Sequence, residues 1–152
     1  MAASSRHTGW RFDDANSRLD FYYQGTRVGH INASGDMTLS TGHITMGDGG
    51  TVTQATNKGT AVTLNTESGQ ITLDDAALGA AAEVSFTLTN SSIGAQDVVL
   101  VNHGSAGTAG AYLAQANSIA DGSCKITVAN LSAGSLGEAI VLHFAVIGGS
   151  SS

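Results

Sequence analysis

Apolar and polar residues alternate with a period of two through much of this chain, and Gly, Ser, Asn and Asp punctuate the alternation at short intervals. In Ser85–Thr89, Phe86 and Leu88 fall on one side, with Ser85, Thr87 and Thr89 on the other. In Lys125–Asn130, Ile126 and Val128 alternate with Lys125 and Thr127 in the same way. That period predicts strands with one face buried. Val98–Val101 and Ile140–Ile147 depart from it, because they are apolar almost without interruption. Such runs predict strands covered on both faces, and a neighbouring subunit is the expected second cover. Together TVTQ, AVTLN, GQITL, EVSFTLTN, DVVLVNH, AYLAQAN, KITVAN and AIVLHFAVI predict consecutive strands of an all-β sandwich or barrel.

Upstream, WRF, LDFYYQ, TRVGHIN, DMTLST and HITM read as very short strands separated by DDANS, QG, ASG and TG. Glycine at these junctions supplies the positive φ of tight turns. Residues 1–9 are small and polar and read as an arm. The run Gly47-Asp48-Gly49-Gly50 reads as a hinge. The expected organisation is therefore an N-terminal arm and anchoring β segment over 1–48, built from short hairpins, followed by a β-sandwich head over 49–152. Asp74–Ala82 is the one stretch with helical potential, and Gly79 reduces it to a short, turn-rich crossing. The chain has no proline, which leaves every backbone N–H available for pairing.

Composition adds a constraint on packing. Hydrophobic residues make up 41% of the chain, but much of that is Ala, and the aromatics are four Phe, three Tyr and one Trp. Small side chains bury little area each, at roughly 25 cal/mol per Å², so an identical neighbour is the expected source of further burial. The long apolar run places the expected subunit contacts at Val141, His143, Phe144 and Val146. Net charge is −6, and the four arginines all lie within the first 27 residues. The acidic remainder argues against a nucleic-acid groove, which needs a basic patch. There is no apolar window long enough for a membrane-spanning helix, and MAASSRHTGW has no apolar signal region, so no membrane association is expected. Cys124 is the only cysteine, which excludes an intrachain disulfide and predicts a small buried hydrophobe.

Candidate chemistry is sparse. His7, His30, His43, His103 and His143 show no ligand spacing with one another or with Cys or carboxylates. Gly104-Ser-Ala-Gly107-Thr-Ala-Gly110 lacks the lysine of a phosphate loop and reads as a surface loop. No GxSxG elbow occurs, and the acid pairs Asp13-Asp14 and Asp74-Asp75 sit in polar turns. No catalytic activity, metal or cofactor is expected. The N-terminal segment is different. Trp10, Arg11, Phe12, Phe21, Tyr22, Tyr23 and Arg27 combine aromatics with arginines, the composition of an interface hot spot. They are the expected contacts to a partner surface, or else the small core of the segment itself.

Residues 50–147 resemble a module of tailed-bacteriophage virion surface proteins: capsid decoration (cement) proteins, head fibres and tail-fibre tips. GTVTQATNKGTAVTLN, SFTLTNSSI, DVVLVNH and LSAGSLGEAIVLHFAVI carry the likeness. The upstream WRFDDANSRLDFYYQGTRVGHINASGDMTLSTG is similar to the β-rich connectors of phage fibres. The resemblance implies homotrimers with jelly-roll-like heads and carries no catalytic residues. It implies a cement protein made in the host cytoplasm, displayed on the capsid surface and partnered by the major capsid protein. The alternative within the family is a tail-fibre or head-fibre tip that recognises a host surface glycan or joins another fibre protein. A lectin module from outside the family would need solvent-exposed aromatics or acidic calcium loops in the second half, where Tyr112 is the one candidate and no Asp-rich loop occurs.

Overall fold

Gln24 and Gly25 both have positive φ, 47° and 82°, and so form the two-residue turn that suits the right-handed twist of a hairpin. That turn and its neighbours fold the first part of the chain into a four-stranded antiparallel meander. Its strands are β1 (Gly9–Asp13), β2 (Arg18–Tyr23), β3 (Thr26–Ile31) and β4 (Met37–Leu39), in that spatial order. The computed structural model describes residues 8–150, and apart from a short 3-10 turn at Asp14–Asn16 every regular element among them is a strand. The chain divides into two compact units, Met1–Thr45 and Met46–Ser152. HITM, expected as a strand, is irregular. Glycines with positive φ bracket it, Gly42 at 81° and Gly47 at 60°.

The second unit is a β-sandwich of two four-stranded sheets. One has the order β5 (Thr51–Thr53), β7 (Ser68–Thr72), β12 (Val141–Ile147), β9 (Val98–Ser105). The other has the order β10 (Tyr112–Ala120), β11 (Ser123–Asn130), β8 (Glu83–Thr89), β6 (Val62–Thr63). Pairing is antiparallel except at the edges, where β5 runs parallel to β7 and β6 to β8. Alternation builds the core. Phe86 and Leu88 of β8 meet Cys124, Ile126 and Val128 of β11, and Ile71, Leu142, Phe144 and Val146 close it from the facing sheet. Cys124 is 1% exposed, and burial pushes its thiol up to about 11. Asp74–Ala82 contains no helix. Its Leu78 instead forms an antiparallel bridge with Leu136.

The apolar run of β12 behaves differently from the expectation. A strand has period two whatever its composition, so Leu142, Phe144 and Val146 point into the core while Val141, His143 and Ala145 lie half-buried on the outer face. Ile147, Val98 and Leu100 remain exposed there. Phe144 and Val146, expected at subunit contacts, are therefore core residues of their own chain. His143 lies over Gly104, the extra residue of a β-bulge between the pairs Leu142↔His103 and Val141↔Ser105. A Cβ on Gly104 would collide with the His143 imidazole.

Four buried polar side chains fasten the loops. The Asn130 amide donates to the carbonyls of Leu78, Gly79 and Gly134 at 2.8–2.9 Å and accepts from the Ser132 N–H and hydroxyl. Asn90 donates to the Thr66 carbonyl, and Gln54 to those of Lys58 and Thr60. Lys58 is 3% exposed, and its ammonium donates to the carbonyls of Asp74, Ala76 and Glu138. Loss of hydration lowers its pKa, and the carboxylates of Asp74, Asp75 and Glu138 oppose that shift. The glycine run at 47–50 is likewise held. The Gly50 carbonyl accepts from Gln70 N–H at 2.8 Å, and a Cβ there would meet Leu64 at 2.8 Å. Gly50 thus leads directly into β5.

Candidate functional site

Cross-strand register sorts the side chains of the β1–β4 sheet onto two chemically distinct faces. Trp10 pairs with Phe21, Phe12 with Leu19, Leu19 with Ile31 and Ile31 with Met37, while Phe21 and Leu39 flank Gly29. Paired residues share a face, so these side chains form one uncharged, apolar surface that also includes Tyr23. The other face carries Arg11, Asp13, Arg18, Asp20, Tyr22, Arg27 and His30.

Burial runs opposite to the usual arrangement. Trp10 is 71% exposed, Phe12 58%, Tyr23 61% and Met37 59%, whereas Asp20 is 2% exposed. Asp20 accepts from Arg18 Nε at 2.9 Å, from Arg27 Nη1 at 3.4 Å and from the Tyr22 hydroxyl at 3.4 Å. Arg18 also reaches Asp13 at 3.1 Å. The Asn16 amide beside Asp13 holds that carboxyl below its ordinary range, with the Arg18 charge assisting. These are charge-assisted bonds, and the arginine stems cover the sheet as well as neutralising the acid. The ionic face is thus sealed by its own side chains. The apolar face lies open.

The seven residues expected at a partner surface consequently separate. Trp10, Phe12, Phe21 and Tyr23 lie on the apolar face, and Arg11, Tyr22 and Arg27 on the ionic one. Arg27 is engaged with Asp20, while Arg11 is exposed and makes no ion pair within 4 Å among the described residues. Sequence reading missed Met37, Leu39, Leu19 and Ile31 as members of the same surface. Period-two alternation through MTL and TRVGHI was the available signal.

Two concavities lie on the sandwich. A shallow cleft of about 410 Å³ is lined by Asp48, Thr51, Ser68, Gln70 and His143, with glycines 49, 50 and 69 lowering its floor. A smaller one of about 270 Å³ follows the glycine-rich loop from His103 to Gly110. At its margin the Thr108 N–H and hydroxyl both donate to the Glu138 carboxylate, at 3.0 and 2.8 Å, and lower its pKa. Glu138 also lies close to the Tyr112 hydroxyl, in a contact that falls short of a full hydrogen bond. Burial, with Glu138 assisting, pushes that phenol up to about 12. His103 stands edge-on to Tyr112 and hydrogen-bonds through Nε2 with the carbonyls of Ser105 and Ala106. These bonds tie the loop to Glu138 and β9. Among the described residues no three His, Cys, Asp or Glu side chains converge to hold a metal ion, and no helix is long and apolar enough to cross a membrane.

Comparison with protein-family models, with curated proteins and with solved structures returned no match.

Proposed function

We propose that the protein is a structural virion component of a tailed bacteriophage, a capsid decoration protein that attaches through residues 9–39 and presents the sandwich outward as a trimer. The phage assignment rests on the resemblance of residues 50–147. The observation that carries attachment is Arg11, exposed on the ionic side of the β1–β4 sheet without an ion pair among the described residues, a cation available for charge-assisted bonds to a shell. The sandwich, by contrast, completes its own core and has loops fastened by buried polar side chains, which suits a displayed head. On this reading the protein catalyses nothing and stabilises the shell by bridging its subunits.

The test is addition of purified protein to undecorated capsids, with bound copies counted by gel densitometry and located by cryo-electron microscopy. Saturable binding at regular shell positions is the expected result, and Arg11→Glu, at an exposed arginine, should reduce it at least tenfold. Failure of the wild-type protein to bind any candidate shell would defeat the proposal. A second reading, a fibre tip that binds a host glycan, is favoured by the 410 Å³ cleft, where Asp48, Ser68, Gln70 and His143 offer hydrogen-bonding groups. It predicts retention on host cell-surface polysaccharide, abolished by Gln70→Trp in the cleft.

A further inference from the structure

We infer that the apolar face of the β1–β4 sheet is closed by the same face of other copies of this chain, so that residues 9–39 form the self-association element of the protein. The inference is independent of which larger assembly the protein serves.

Three observations select a second copy as the occupant. The first is the absence of an apolar core in residues 8–45. Among the described residues, every buried hydrophobic side chain lies between Val62 and Val146. Backbone pairing and the Asp20 cluster are what hold the four short strands, and a small sheet needs a covered apolar face for stability. That cover is required as soon as the chain folds, before any foreign surface is met, and other copies are present at that moment.

The second observation is charge. None of the paired residues on the apolar face is charged, whereas the protein as a whole carries −6. Apposing this face with itself brings no like charges together. Arg11, Asp13, Arg18 and Asp20 are all displaced to the opposite side, where they neutralise one another or face water. Interfaces between permanent homo-oligomer partners have this apolar, uncharged character.

The third observation is area. At roughly 150–250 Å² per aromatic side chain, the exposed fractions of Trp10, Phe12 and Tyr23 amount to about 300–450 Å² of surface. Met37 at 59% and Leu39 at 38% exposed extend the same patch. The total, on the order of 500 Å², lies toward the upper end of the largest apolar patch a monomer ordinarily leaves in water, a size that is often functional. It also approaches the roughly 800 Å² that each partner contributes to a stable interface.

Trp10 is the sole tryptophan, so its fluorescence reports on this face without labelling. The experiment follows sedimentation mass, Trp emission and iodide quenching of the full-length protein across a dilution series. At micromolar concentration the mass should be a multiple of 15.3 kDa. Emission should be blue-shifted, and quenching severalfold weaker than for free tryptophan. On dilution the mass should fall and the emission should shift red over the same concentration range. Phe12→Ser combined with Met37→Ser, which leaves the reporter in place, should give single chains with quenchable Trp10 at all concentrations. Leu100→Ser, on the exposed outer face of the sandwich, should leave assembly unchanged. A single-chain mass for the wild type, a shielded Trp10 in a single-chain species, or dissociation by Leu100→Ser with assembly intact in the double variant would each overturn the inference. Capsid binding enters none of these measurements, so the attachment proposal and this one stand or fall separately.

Discussion

In residues 46–152 the side chains withdrawn from water are Ile71, Leu88, Ile126, Leu142 and their neighbours, with Gln54, Lys58, Asn90 and Asn130 buried among the loops. In residues 8–45 the withdrawn side chain is Asp20, while Trp10, Phe12 and Tyr23 stand in solvent. The same period-two alternation underlies both. What differs is the number of layers. A sandwich gives each sheet a partner for its apolar face, and the buried polar groups need only close the loops. The first unit holds one sheet and no second layer of its own, and the face it seals is the one that can neutralise itself. Alternation makes a strand. A second layer makes a core.

The largest expected effect is from Phe144→Asp. An unpaired carboxylate in the sandwich core should cost about 4 kcal/mol or more, a large part of the whole stability of an ordinary domain. Urea denaturation followed by circular dichroism measures it. Trp10→Asp should leave that transition in place, and equal loss of the sandwich from both variants would erase the contrast between the units. Next come Asn130→Ala and Lys58→Met, each expected to lower sandwich stability by about 2–3 kcal/mol, because carbonyls lose their donors in a buried setting. Thermal unfolding monitored by calorimetry would show the shift.

Asp20→Ala should have a smaller and local effect, about 2 kcal/mol, from leaving Arg18 and Arg27 without their shared acid. Those arginines are partly exposed, which limits the cost. Hydrogen exchange should accelerate in β2 and β3 and stay unchanged in β8 and β11. The smallest effect is on pH dependence. Thr108 lowers the Glu138 pKa, and the backbone N–H groups of Gly94 and Gly149 lower that of Asp97. A carboxyl with a depressed folded-state pKa contributes stability above its unfolded value and loses it as pH falls through the folded one. Glu138→Gln should therefore flatten the acid side of the sandwich's melting profile. Asp13→Asn should leave that profile alone.

Much of this architecture was legible in local pattern. The alternation in Ser85–Thr89 placed Phe86 and Leu88 together, and the core contains both. The aromatic alternation in WRF and LDFYY likewise marked strands, but not which face would stay bare, because that depends on the presence of a second layer. For Ile140–Ile147 the strand period divides what composition merges: Leu142, Phe144 and Val146 fill the core of their own chain, and the outer face carries Val98, Leu100 and Ile147. The loop fasteners were invisible for a different reason. Lys58 lies in TNKG, which reads as a solvated turn, and its acceptors are 16, 18 and 80 residues away. Asn130 ends a strand as many asparagines do, and two of its partners lie 52 and 51 residues upstream. Long-range satisfaction of this kind leaves no periodic trace.

The thiol of Cys124 gives the sandwich a clock. With a pKa near 11 and 1% exposure, it offers almost no thiolate at neutral pH and almost no path for a reagent. β11 lies between β10 and β8, so modification requires a central strand to leave its sheet. The rate at which a disulfide reagent consumes this one sulfur thus counts rare openings of the folded head. A sandwich that resists labelling for days would be one that opens on that timescale or more slowly.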